Sequence, residues 1–294
     1  MESSFFKHVE SELRGVFGSD FRLLGKEGVG GGCISRSAKL KTSHGDFFIK
    51  WNSSAAPDLF LREAEGLTAM GKATESELII PKVILSAKAG EWPGFIVLEF
   101  LNTGYSHDQA EKLGIGLAVL HRYHHPQFGF YRDNYCGSTL QKNAWQSNWI
   151  DFFVHNRLLF LLNMLTGNRR YEVSERKVFD RLIVRLPGLL LPSSSPALIH
   201  GDLWSGNCLY TEKGPALIDP AVYFADREME LSMMSLFGGF SRSTWTAYQA
   251  HFPLEAGWEE RIQIYQLYHL LNHYCLFGGS YGRQSLFLAK KFAG

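Results

Sequence analysis

The 294-residue sequence predicts an α+β fold in two lobes, a small β-rich one over about residues 1–100 and a larger, mostly helical one over 101–294. Two observations carry this division. Up to Leu101, short apolar runs alternate with glycine turns; beyond it, apolar residues recur at helical spacing. A third sets the size: with 45% apolar and 20% charged residues the chain is globular and long enough for one large domain or two modest ones.

In chain order, residues 21–26 and 35–42 read as strands flanking the run Gly28-Val29-Gly30-Gly31-Gly32. His44-Gly45-Asp46 then turns into the apolar strand Phe47-Phe48-Ile49-Lys50. A helix is expected over 59–71 and two more strands over 81–85 and 94–101, giving a small antiparallel sheet crossed by one main helix. Ser106-His107-Asp108-Gln109 has capping-box spacing, and Leu113, Leu117 and Leu120 continue one apolar face, so a long helix should start there. Segments 145–166 and 259–276 also read as helices. The loop from Pro192 to Pro196 feeds a short strand over 197–200, and no internal repeat is visible.

Composition removes several classes of function. Thirty basic residues against 29 acidic ones leave a formal charge of +1, without the basic excess on which phosphate-neutralising nucleic-acid binders depend. The apolar run from Leu158 to Leu165 is broken by Asn163 and too short to span a bilayer. The start, MESSFFKHVESEL, lacks the apolar stretch of a signal peptide. Cys33, Cys136, Cys208 and Cys275 form no CxxC pair, so neither a disulfide framework nor a cysteine zinc site is expected, and a reducing cytoplasm fits best.

The most informative tract is His200-Gly201-Asp202-Leu203-Trp204-Ser205-Gly206-Asn207, followed by Leu217-Ile218-Asp219-Pro220. Asp202 and Asn207 lie five positions apart, and Asn207 and Asp219 twelve. Phosphoryl transfer needs such a set: one carboxylate to take the proton of the acceptor hydroxyl, and an amide oxygen and a second carboxylate to hold Mg²⁺ against a triphosphate. The apolar flanks ALIHGD and ALID would bring the three to one mouth. The bland alternative is two turns containing Asp and Asn, both common there. Lys50 ends an apolar strand, where it calls for an anion, and Glu63 on the next helix could pair with it; a solvated strand-end lysine is the plain alternative. The glycine run lacks the last Gly of G-x-G-x-x-G, and no G-x-x-x-x-G-K-[ST] occurs. Between two strands, it suits a flap whose N–H groups cover phosphates. The order flap, Lys, Glu, linker, Asp, Asn, Asp strengthens each signal.

With these residues in view, the sequence resembles the fructosamine kinase (ketosamine-3-kinase) family, within the protein-kinase-like small-molecule kinases that include aminoglycoside phosphotransferases. The likeness runs nearly end to end, through GGGCIS at 30–35, FFIKWN at 47–52, EAEGL at 63–67, FGFYRDNYCGSTLQKN at 128–143, HGDLWSGN at 200–207, IDPAVYFADREMELSM at 218–233, LFGGF at 236–240 and LYHLLNHYCLFGGSYG at 267–282. HGDxxxxN and the IDP aspartate are shared by the wider group, whereas Trp204 and Asp226-Arg227-Glu228 point to the fructosamine branch; Ala225 stands where the family more often has Gly.

The resemblance implies a two-lobed protein-kinase-like fold with ATP and Mg²⁺ in the cleft. It implies Asp202 as base, Asn207 and Asp219 as Mg²⁺ ligands, Gly30, Gly31 and Gly32 over the phosphates, Lys50 backed by Glu63, and adenine against the backbone near Glu99 and Leu101. The implied reaction phosphorylates the 3-hydroxyl of a ketosamine, whose 3-phosphate then eliminates to release the amine, a deglycation repair of protein or metabolites. Trp204 could floor the sugar or the amine's alkyl part, or be a core tryptophan. Asp226 and Glu228 could meet the substrate ammonium or salt-bridge Arg227 and Arg261. The expected partner is a small-molecule or protein-linked ketosamine, with no nucleic acid or membrane, and the expected state a monomer or weak dimer.

Other readings stay in view. One is a kinase for another hydroxylated amine, such as an aminoglycoside or choline, although acids and bases balance over 220–294 and a polycation pocket would not. Another is a non-catalytic nucleotide-binding module. Gly278-Gly279-Ser280-Tyr281-Gly282 fits G-x-S-x-G, but neither Asp/Glu nor His follows it. His269 and His273 have zinc-helix spacing without the adjacent Glu, and read as packing or substrate-side residues. His121, His124 and His125 suit a helix end. Cys33, at the end of the flap beside Lys50, is a candidate redox switch.

Overall fold

The computed structural model describes residues 2–29, 35–74, 77–105, 107–192 and 195–294. Gly30, Gly31, Gly32, Cys33 and the Ser106 cap lie outside them. The chain opens with a helix, α1 (Glu2–Phe17), followed by β1 (Leu23–Gly28), β2 (Arg36–Thr42), β3 (Gly45–Asn52), α2 (Leu59–Ala73), β4 (Val83–Ala87) and β5 (Gly94–Glu99). The strands form one antiparallel sheet in the order β1-β2-β3-β5-β4.

Alternation along the central strands decides what covers each face. Phe47, Ile49 and Trp51 of β3 and Phe95 and Val97 of β5 pack with Phe5, Phe6, Val9 and Leu13 of α1. Phe48 of β3 and Ile96 and Leu98 of β5 pack on the other face with Phe60, Ala64 and Leu67 of α2. The sheet is thus sandwiched by two helices rather than crossed by one. Lys50 shares the α2 face with Phe48, which aims it at Glu63.

Beyond the linker come α3 (Gln109–Leu120), the hairpin β6 (Asn134–Cys136) and β7 (Thr139–Gln141), and a continuous helix made of α4 (Trp149–Phe152), a π turn (Phe153–Leu159) and α5 (Phe160–Gly167). Then follow α6 (Val173–Leu189), β8 (Ala197–Ile199), a 3₁₀ turn (Ser205–Asn207), β9 (Cys208–Thr211), β10 (Gly214–Leu217), β11 (Tyr223–Ala225), α7 (Glu228–Phe237), α8 (Arg242–His251), α9 (Trp258–Phe277) and α10 (Tyr281–Ala293). Their apolar faces meet in one core containing Leu113, Leu117, Trp149, Phe153, Phe179, Leu198, Tyr265 and Leu271.

At α3 the described residues do other work. Asp108 is left-handed (φ 61°) and makes no side-chain cap, while the Gln109 amide donates to the Thr211 carbonyl at 2.6 Å and anchors β9. Inside the π turn, Arg157 is fully buried, donating to the Lys142 carbonyl (2.5 Å) and to Asn143 Oδ1 (2.9 Å) with its guanidinium 3.9 Å from the Tyr223 ring centre. Among the described residues no helix is long and apolar enough to cross a membrane.

Candidate active site

Two loops leaving short strands come together in the cleft. The first, running from β8 through the 3₁₀ turn to β9, carries Asp202, Trp204 and Asn207; the second, between β10 and β11, carries Asp219. They touch so closely that a Cβ on Gly201 (φ 82°) would stand 2.2 Å from the Ala221 carbonyl oxygen, which restricts position 201 to glycine. His200 stitches them together: its Nε2–H donates to the Ile218 carbonyl at 2.7 Å, and its Nδ1 accepts from the Asp202 amide at 3.2 Å. Burial lowers its pKa, so it does this as a neutral ring.

Asn207 donates its Nδ2–H to the Asp202 carbonyl at 2.9 Å, which orients the amide and leaves Oδ1 as its acceptor. Asp219 adopts a left-handed backbone (φ 57°), uncommon for a residue with a Cβ. Its Oδ1 accepts from Lys50 Nζ at 2.8 Å, and both Glu63 oxygens accept from the same ammonium at 3.0 and 3.1 Å. Burial works against the lysine's charge, but the two carboxylates outweigh it and raise its pKa above the ordinary value. Asp202 stands in the opposite situation: burial, with the negative charges of Glu230 and Asp219 nearby, raises its pKa well above the usual carboxylate range.

Two cavities meet here. One, about 610 Å³, has the apolar walls Phe48, Pro81, Leu98, Leu209 and Ile218 and is bordered by Glu99 and Leu101. The other, about 380 Å³, holds Asp202 and Glu63 and opens past Phe237, His273, Phe277 and Tyr281. Ser35, Lys50, Trp204, Asn207 and Asp219 belong to both. Trp204 is 39% exposed and its ring lies over Gly206, where a Cβ would be 2.2 Å away, so it is a wall between cavities and not a core tryptophan.

The structure therefore brings Lys50, Glu63, Glu99, Leu101, Asp202, Trp204, Asn207 and Asp219 to one cleft. Two expected substrate residues are not there. Glu228 is buried and clamped by Arg261 at 2.5 and 2.8 Å. Asp226 is not among the residues lining either cavity, and its Oδ1 accepts from the Glu228 amide at 2.9 Å. Arg227 donates to the Phe252 carbonyl at 2.7 Å and that of Pro253 at 2.5 Å. His269 is buried, which fits its reading as a packing residue, and burial pushes its pKa down to about 3. Sequence reasoning missed Glu230, whose side chain lies inside the lobe and accepts from the amides of His200 and Gly201, the latter at 3.2 Å. The signal for it was an acid inside the apolar stretch MELSMM.

Among the described residues no cluster of three or more His, Cys, Asp or Glu is arranged to hold a metal. Asn207 Oδ1 and the Asp219 carboxylate, both hard oxygen donors on one cavity wall, do suit a Mg²⁺ that takes its remaining ligands from phosphates and water.

Residues 5–292 match the family model described as fructosamine kinase. A "probable ketoamine kinase" of Enterococcus faecium is 37% identical over 269 residues, covering 90% of this chain and 95% of its own. A chloroplastic protein-ribulosamine 3-kinase of Arabidopsis thaliana is 38% identical over 259 residues, covering 86% of this chain and 78% of its own. A crystal structure of a Thermobifida fusca protein assigned as a fructosamine-3-kinase superposes with a TM-score of 0.85 at 28% identity, covering 97% of this chain and 98% of that one. An aminoglycoside phosphotransferase, 15% identical and covering 97% of each chain, shares the two-lobed protein-kinase-like fold with a TM-score of 0.64.

Proposed function

The chain belongs to the fructosamine kinase family, and on that premise we propose that it transfers the γ-phosphoryl group of ATP to the 3-hydroxyl of a ketosamine. The observation that carries the reading is the shared wall of the two cavities: Lys50, Asn207 and Asp219 face both, while Asp202 faces only the smaller one. A phosphoryl group passing from donor to acceptor must cross such a wall, with the base on the acceptor side.

In this reading residues 1–100 form the nucleotide-binding lobe and residues 101–294 the catalytic one. Adenine lies in the apolar slot, against backbone at Glu99 and Leu101. Lys50, held by Glu63, moves from Asp219 toward the phosphates. Mg²⁺, when bound, neutralises charge on the triphosphate, and Asn207 Oδ1 and Asp219 are the residues to hold it. Asp202 takes the hydroxyl proton; its raised pKa makes the carboxylate a stronger base than an exposed aspartate. Trp204 packs on the sugar. The product's elimination would release the amine, a repair of glycated amines suited to the cytoplasm.

The test is phosphorylation of ketosamines built from hexose, pentose and tetrose on free amino acids and on a lysyl peptide, beside an aminoglycoside and choline. Mg-dependent phosphate on O3 of at least one ketosamine is expected. Turnover of only the aminoglycoside or choline overturns the reading.

A further inference from the structure

The smaller cavity runs outward from Asp202 to an aromatic end made by α7, α9 and α10. There the His273 ring lies 4.9 Å from Phe237, 5.1 Å from Tyr281 and 5.6 Å from Phe277, centre to centre. His273 Nδ1 stands 2.8 Å from the His269 carbonyl one turn back, an acceptor-only partner that requires the N–H to be on Nδ1. Nε2 is then a lone-pair acceptor. Burial lowers the ring's pKa and favours this neutral form.

Several other polar groups along this wall are already engaged. Asn134 donates to the Val222 carbonyl at 2.7 Å and accepts at 2.8 Å from both Gln141 and Asn143. Asn272 directs its amide N–H groups at Cys136. Arg62 is held by Asp58 and Glu65, and Glu63 and Asp219 by Lys50. Among the described residues, side-chain acceptors with capacity left on this cavity's lining are the Asp202 and Asp219 carboxylates, Asn207 Oδ1, Asn272 Oδ1 and His273 Nε2. With Asp202 committed to the hydroxyl proton, Asn207 and Asp219 to Mg²⁺ in the reading above, and Asn272 Oδ1 buried, the half-buried His273 among its three aromatic neighbours is the acceptor for a second donor on the same substrate.

We propose that His273 Nε2 accepts the ammonium N–H of the ketosamine, inside a box of aromatic rings, and so acts as a specificity-determining residue. The inference rests on the ketosamine reading above. The chemistry of the box selects the donor: faces of Trp204, Phe237, Phe277 and Tyr281 attract a cation and tolerate its alkyl substituent. A neutral acceptor with π faces binds a singly charged amine without burying a second full charge.

The test compares two ketosamines of one sugar, the first on a secondary amine that retains N–H when protonated, the second quaternised at that nitrogen and lacking N–H. Wild type should prefer the first in kcat/KM by about tenfold or more, the scale of a hydrogen bond to a charged donor. His273→Phe, which keeps a ring in the box, should lose most of that preference with KM for ATP unchanged, and His273→Gln, which offers a carbonyl oxygen, should recover part of it. The same preference in wild type and His273→Phe overturns the proposal; were His273→Phe not to fold, an unchanged preference in His273→Leu would do so. Wild type that turns over neither ketosamine refutes the underlying reading, a different result from an unaltered preference.

Discussion

At the scale of single residues, Asp202 joins two properties with opposite consequences. Its environment raises the carboxyl pKa, chiefly by burial and further through Glu230 and Asp219. Stability linked to a carboxyl whose folded-state pKa is raised is fully present below the ordinary value near ~3.9 and is lost as pH rises through the folded-state value. Asparagine is neutral at every pH and keeps that stability. In metal-free buffer, Asp202→Asn should therefore melt above wild type at pH 8, with the gap closing toward pH 4, while turnover falls by roughly 10²-fold or more and ATP binding persists. Identical melting curves at pH 8 would show that the carboxylate is not held against its charge. This conflict was half legible in the sequence. The triad Asp202, Asn207 and Asp219 could be read because turn-forming residues between apolar strands stand out. The forces on Asp202 could not, because Glu230 lies 28 positions onward and reaches the loop only through the packing of α7.

At the scale of elements, α7 shows why pattern reading fails for an embedded helix. Met229, Leu231, Met233 and Met234 are buried, but so are Glu228 and Glu230, so polarity does not mark an outer face. Each acid has a partner from elsewhere in the chain, Arg261 of α9 for Glu228 and the loop amides of His200 and Gly201 for Glu230. Helix α1 was missed although its signal is regular: Phe5, Phe6, Val9 and Leu13 follow helical spacing and are its four buried residues; the strands of the sheet alternate as expected. Glu230 is a positioning residue, acting on Asp202 through the backbone and through its charge. Glu230→Gln replaces charge-assisted acceptors with a weaker one, and kcat should fall about tenfold or more with little change in KM for ATP. It also removes a negative charge that raises the Asp202 pKa, so the acid limb of kcat/KM should move to lower pH. A slower enzyme with an unmoved acid limb would reduce Glu230 to scaffolding.

At the scale of the molecule, the lobes are tied through Lys50, which bridges Glu63 of α2 in its own lobe and Asp219 of the other, 169 positions away. Sequence reading paired Lys50 with Glu63 from their neighbourhood, and had no local signal for the cross-lobe contact. On the proposed role of Asp219 that contact sets up a competition, since a carboxylate holding Mg²⁺ cannot also hold the lysine ammonium at 2.8 Å without weakening both. Binding of Mg-ATP should then exchange the bridge for a stronger one made by the nucleotide between both lobes. At about 100 times Kd such a ligand adds ~2.7 kcal/mol of stability, roughly 5 °C or more in melting temperature for a chain of this size. EDTA should remove most of that increment. Asp219→Ala leaves Lys50 its Glu63 partner, so the fold should survive, but less than a third of the Mg-dependent increment should remain because the carboxylate proposed to hold the metal is gone. Differential scanning of both proteins with ATP, Mg-ATP and Mg-ATP plus EDTA separates these contributions. A Mg-dependent increment as large in Asp219→Ala as in wild type would mean that the metal is held elsewhere and that Asp219 serves only to join the lobes.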